Sequence, residues 1–111
     1  MREFSVRSRD SKGDLVLTVV GEVDIATIGE LHRALERALR SAAPRIVVDL
    51  GEAGFMDASG AALLLRYDAL TRAYGRTLVV VRGAPCIDRL LELTGVAYRL
   101  VIVDRRPVQA A

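Results

Sequence analysis

Arg45-Ile46-Val47-Val48-Asp49-Leu50, followed by Asp57-Ala58-Ser59-Gly60-Ala61-Ala62-Leu63-Leu64-Leu65, decides the fold. The first stretch, read as a strand over Ile46–Leu50, is a short and nearly continuous apolar run of the kind buried in a sheet. The second opens on an acidic residue and a set of small ones. It then turns at once into strong helix formers, read as a helix over Ala61–Tyr74 with Gly75 as its C-terminal cap. A buried strand feeding a buried helix through a small-residue turn is half of a βαβ unit.

Working outward, Glu3 to Arg9 alternates, with Phe4 and Val6 on one side and Ser5 and Arg7 on the other, which predicts a half-exposed strand. Asp10-Ser-Lys-Gly-Asp14 is a turn signal, and Leu15 to Val20 a second strand, so the two pair as an antiparallel hairpin. Gly21-Glu22-Val23-Asp24-Ile25 reads as a loop. Thr27-Ile-Gly-Glu30 matches a capping box, in which the Thr27 hydroxyl accepts from the Glu30 amide and the Glu30 side chain reaches back. The helix behind it is predicted to bury Ile28, Leu31, Leu35, Ala38 and Leu39, with Glu30, Arg33, Glu36, Arg37 and Arg40 toward water.

Beyond Gly75 the pattern repeats: a strand over Leu78–Val81, a helix over Pro85–Thr94 capped by Gly95, and a strand over Leu100–Val103. Strands alternating with helices imply right-handed crossovers and parallel neighbours. The expectation is an α/β fold with a mixed sheet of about five strands and at least three helices. The first hairpin is antiparallel, the rest mainly parallel, and the apolar strands are covered on both faces. The 111 residues suit one domain, 1–111, with its core over 3–103 and a short tail over 104–111.

Composition narrows the function. Fifteen arginines and one lysine against fourteen acidic residues leave a formal net charge of +2, and no basic run exceeds the pair Arg105-Arg106. Nucleic-acid binding needs a clustered basic face with stacking aromatics, and only five percent of residues are aromatic. No apolar run approaches the ~20 residues of a membrane helix, and the first residues carry no signal-type stretch. The single cysteine, Cys86, allows no internal disulfide. A cytoplasmic domain that neither binds nucleic acid nor inserts into a membrane is expected.

In an open parallel sheet the functional loops gather at the carboxyl ends of the strands. Here those are Gly21–Asp24 and Gly51–Gly60, predicted to lie side by side and offering Glu22, Asp24, Asp57 and Ser59. A nucleophile elbow would need Gly-x-Ser-x-Gly, but Asp57 and Ala61 stand at the glycine positions. The lone histidine, His32, falls in mid-helix and reads as a partly exposed helix residue, so no triad forms. Gly54 to Gly60 has the wrong spacing and no lysine for a phosphate-binding loop. The isolated acids have no Cys or His beside them, so no metal or cofactor is expected. Cys86 reads as a small buried hydrophobe. From chemistry alone, Asp57 or Ser59 is a helix cap. The helix is apolar nearly all round, which leaves a surplus face near Phe55 and Met56 either to meet a partner or to pack under a neighbour.

Phe55-Met-Asp57-Ala-Ser59-Gly60 with its apolar helix resembles the signature of the STAS domain of bacterial anti-sigma factor antagonists. Gly21-Glu-Val-Asp24 is similar to the family's Gly-Glu-hydrophobic-Asp, and Arg89-Leu-Leu-Glu-Leu-Thr-Gly95 to its third helix. The resemblance runs along the chain to about Val103. It implies a non-catalytic protein that binds an anti-sigma factor, often a serine protein kinase, and so frees a sigma factor. Glu22, Asp24, Phe55, Met56, Asp57, Ala58, Ser59 and Gly60 would form the docking surface. In the family the residue after the Asp is a Ser that accepts phosphate, with a phosphatase as a further partner. Here that residue is Ala58, and Ser59 matches the second, normally unmodified hydroxyl. Three readings stay open: Ser59 takes the phosphate instead, the protein is a permanently active antagonist, or the domain serves a scaffold or lipid-transport complex.

Overall fold

The computed structural model describes residues 3–104. The chain forms β1 (Ser5–Ser11), β2 (Asp14–Val23), α1 (Ile28–Arg40), β3 (Arg45–Met56), α2 (Ala58–Ala73), β4 (Thr77–Val81), α3 (Pro85–Leu93), a 3-10 turn at Val96–Tyr98, and β5 (Val101–Val103). The expected tail lies, beyond Asp104, outside the described residues.

The five strands stand in the order β1-β2-β3-β4-β5, with β1 antiparallel to β2 and the others parallel. The Lys12-Gly13 turn, with φ of 52° and 90°, joins the first pair with the left-handed geometry that matches strand twist. This is the mixed α/β sheet with three helices that the periodicity predicts.

One expectation fails. Because the parallel strands follow one another in one direction, right-handed crossovers place every helix on the same face; helices on both faces need a reversal of strand order. Accordingly Leu17, Val19, Ile46, Val48, Leu50, Leu78 and Val80 join the buried residues of all three helices in one core. Val16, Val47 and Val79 form a separate cluster on the other side, and no described helix residue contributes to it. Continuous valine runs therefore mark strands apolar on both sides, not strands covered by helices on both.

α1 buries Leu31, Ala34, Leu35 and Ala38, and Ile28 and Leu39 pack at its margin. Arg76 donates to the carbonyls of Ala38 (3.1 Å) and Leu39 (2.7 Å) in the last turn of α1, and to that of Ala43 (2.8 Å) in the connection beyond it. That satisfies acceptors every helix end leaves over. α2 runs between α1 and α3, so its apolar surplus is used internally. Leu63 and Leu64 are buried and Leu65 packs against the core, so the surplus face is not held out for a partner.

Candidate functional site

The site is built where β2 and β3 end. Val23 stands opposite Met56 in the sheet, and the Asp57 N–H donates to the Val23 carbonyl at 3.0 Å. The two loop segments therefore lie side by side at one end of the sheet. Both strands run further than their apolar patterns suggest. Glu22 and Val23 belong to β2, and Gly51–Met56 to β3, with register shifts between Thr18 and Val20 and between Gly21 and Glu22.

Asp57 is the N-cap of α2. Its backbone is extended (φ −97°, ψ −176°), and its carboxylate accepts from the N–H of Ser59 (3.0 Å) and of Gly60 (3.4 Å). The Ser59 hydroxyl also donates to Asp57 Oδ1, at 2.5 Å. Helix α2 thus begins at Ala58, three residues before the apolar run. Ala58 and Ser59 are exposed on its first turn. Gly60 is buried, and a Cβ there would stand 2.6 Å from Met56 Cγ and 2.9 Å from Val23 Cγ1. The small residue lets the helix start against the two strand ends.

Of the eight residues expected at a docking surface, Met56 is corrected. Its side chain is 2% exposed and supports the floor beneath Gly60; it joins Ala53 in the helix-side core, the register shifts with β2 having broken the even-numbered phase of Ile46, Val48 and Leu50. Gly60 is likewise a packing residue. Phe55, on the opposite pleat, is 43% exposed. Glu22, Asp24 and Asp57 are half-buried at the same end.

The β2–α1 connection also differs from its reading. The Thr27 hydroxyl does not take the Glu30 amide, which instead donates to the Thr27 carbonyl (3.0 Å). The hydroxyl donates to the Glu22 carbonyl (2.6 Å) and accepts from the Asp24 N–H (3.0 Å), while Asp24 Oδ1 accepts from the Ala26 N–H (2.9 Å). These bonds fix a loop that carries Ile25 into solvent at 87% exposure. No sequence motif marks Ile25. Its only signal is an apolar side chain inside a Gly/Asp/Thr-rich turn, three residues before the helical Ile28.

His32 is partly exposed, as expected, and meets the Tyr67 ring edge-on at 5.6 Å between centroids. Cys86 is exposed rather than buried, with its thiol 3.6 Å from the Gly54 carbonyl. Ile87 takes the buried position of that turn. No group of three or more metal-ligating side chains occurs among the described residues, and none of their helices is long and apolar enough to cross a membrane.

The family model described as Mlab, STAS domain matches residues 6–103. The chain belongs to the STAS domain family. It is 29% identical over 102 residues to the anti-sigma F factor antagonist of Paenibacillus polymyxa, covering 91% of this chain and 87% of that one. Its fold is similar to the crystal structure of an anti-sigma factor antagonist from Mycobacterium paratuberculosis (TM-score 0.79, 24% identity, 90% and 85% of the two chains). It is also similar to the anti-sigma factor antagonist SpoIIAA in its unphosphorylated form (TM-score 0.76, 18% identity, 94% and 89%). Anti-sigma factor antagonists are non-enzymatic regulators.

Proposed function

We propose that this STAS protein is a cytoplasmic anti-sigma factor antagonist. It docks an anti-sigma factor of serine-kinase type on the paired ends of β2 and β3 and thereby releases a sigma factor. The surface comprises Glu22, Asp24, Phe55, Asp57, Ala58 and Ser59. The exposed, small-residue first turn of α2 supports this reading, since it lets a partner's backbone approach closely.

We further propose that it acts without the usual phosphate switch, and one observation carries this. Ala58 offers no hydroxyl, and the Ser59 hydroxyl is spent on Asp57 Oδ1. Phosphoryl transfer needs the acceptor oxygen in line with the γ-phosphate. Successive residues at a helix start point about 100° apart, so a hydroxyl displaced by one residue faces another direction. Incubation with ATP and kinase-type anti-sigma factors of the same genome, followed by mass spectrometry, tests this. The wild type takes up little phosphate and Ala58→Ser becomes an acceptor. Rapid stoichiometric labelling of Ser59 would restore a switch.

A second reading, a subunit of a non-signalling scaffold or lipid-transport complex, draws support from the missing acceptor and from the Mlab description of the matching family. Purification from native cells separates the two: a kinase-type anti-sigma factor supports the first, and a membrane transporter complex the second.

A further inference from the structure

We propose that Ile25 is the apolar anchor by which this end of the sheet seats in its partner, and that the partner presents an aliphatic socket rimmed by cationic side chains. The inference rests on the docking reading above and names the chemistry that reading leaves open.

Ile25 is the most exposed large hydrophobic residue among the described ones, at 87%. Its surroundings set it apart from a stray surface side chain. The chain on either side is held by the Thr27 hydroxyl, which bridges the Glu22 carbonyl and the Asp24 N–H, and by the Asp24 carboxylate on the Ala26 N–H. Such a loop surrenders little conformational entropy on binding, and a β-branched side chain surrenders little more. Interface energy concentrates in a few preorganised side chains that fill pockets, so a rigidly offered isoleucine is suited to that part. It also has company. Val23, two residues before it, stands opposite Met56, and the neighbouring Phe55 is 43% exposed. Val23 and Met56 are themselves buried, so this end of the sheet offers Ile25 and Phe55 as its exposed large apolar side chains.

The rim gives the sign of the partner's charge. Glu22 and Asp24 precede Ile25 within three residues, Glu30 lies in the first turn of α1, and Asp57 caps the adjoining helix. This acidic grouping runs against the formal net charge of +2 for the whole chain. Driving Ile25 into a dry socket brings those carboxylates against the partner's rim, where opposite charge speeds encounter and like charge penalises it.

The test measures binding of kinase-type anti-sigma factors from the same genome to the wild type and to Ile25→Ala, Ile25→Asp, Asp57→Arg and Leu93→Ala, at low and high salt. Leu93 is a comparably exposed aliphatic residue, 75%, at the C-terminal end of α3, and serves as the control. Circular dichroism checks that each variant folds. Ile25→Ala should weaken binding by about tenfold or more and Ile25→Asp by about a hundredfold, with Leu93→Ala unchanged. Added salt should weaken the wild type. If the Ile25 variants bind like the wild type while Asp57→Arg does not, the anchor is wrong and the docking reading stands. If binding ignores salt, the cationic rim is wrong. If the wild type captures none of these factors, both proposals fall together.

Discussion

Two helices start side by side at the same end of the sheet, and in sequence both advertise a cap. At α2, Asp57 fulfils the promise: its carboxylate takes the Ser59 and Gly60 amides. At α1, Thr27 and Glu30 spell a capping box, yet the Thr27 hydroxyl turns backward to Glu22 and Asp24. The difference lies in what precedes each helix. Asp57 follows directly on β3, whose backbone is already satisfied by pairing with β2, so its side chain is left for the helix. Thr27 follows a loop with unmet polar backbone groups, and those groups claim the hydroxyl first. A local motif records which bonds are available, and the neighbouring backbone decides which are made.

The largest effect that would break this comparison lies at Gly60. Its missing Cβ would fall 2.6 Å from Met56 Cγ and 2.9 Å from Val23 Cγ1, both among buried side chains. Gly60→Val should cost roughly 2–3 kcal/mol by overpacking. That lowers the melting temperature by about 10 °C or more for a domain this size. A variant melting with the wild type would mean that α2 starts loosely, and that the small residue serves docking alone.

Next comes the cap. Asp57→Ala should lose about 1–2 kcal/mol in denaturant unfolding, because two amide donors at the start of α2 lose their acceptor. A loss below about 0.5 kcal/mol would place Asp57 in the same class as Thr27. The Thr27 hydroxyl sharpens the contrast from the other side. Thr27→Val should cost about 1 kcal/mol, through the loop rather than the helix, and Glu30→Ala almost nothing. A capping box would make the Thr27 and Glu30 variants equally costly. Amide exchange should quicken at Asp24 in Thr27→Val while the α1 interior stays protected.

Much of this fold is written in local pattern. The alternation of Phe4 and Val6, the valine runs, Gly75 and Pro85 identify elements because side-chain period and chain breakers act within a few residues. The misreadings occur where a distant partner decides. Gly51 to Gly54 looks like a loop, since glycines and Glu52 interrupt the apolar run. It is strand because β2 continues beside it through Val23. Cys86 looks buried by type, but the α3 phase gives that place to Ile87. The site was legible as a motif, and its adjacency followed from parallel topology. Which of its side chains face out was not, because Phe55 and Met56 are both apolar and only the pleat separates them. Ile25 is illegible for another reason: its exposure depends on a loop held by side-chain bonds.

The smallest effect joins the two helices themselves. The Tyr67 hydroxyl, on α2, donates to Glu36 Oε1, on α1, at 2.9 Å. That bond, aided by Arg40 against the opposing pull of desolvation, holds the Glu36 carboxyl below its usual range. Burial, and then the same bond, pushes the Tyr67 phenol above its ordinary value. A carboxyl depressed in the folded state stabilises that state at pH above the unfolded value, and the contribution fades as pH falls through the native one. A raised phenol works in the opposite sense: its contribution is present below the ordinary tyrosine range and fades as pH rises through the native value. The link therefore operates between the two ranges, neutral pH included. Tyr67→Phe removes it while keeping the buried ring and its edge-on contact with His32. The stability gap between wild type and Tyr67→Phe, measured by urea unfolding across pH, should be widest near neutrality and close as the solution is made acid through the Glu36 titration. The Glu36 side-chain carboxyl, followed by NMR, should titrate at higher pH in the variant than in the wild type. A gap that stays constant down through the carboxylate range, with an unmoved Glu36 titration, would show that Tyr67 holds α1 and α2 together by its ring alone.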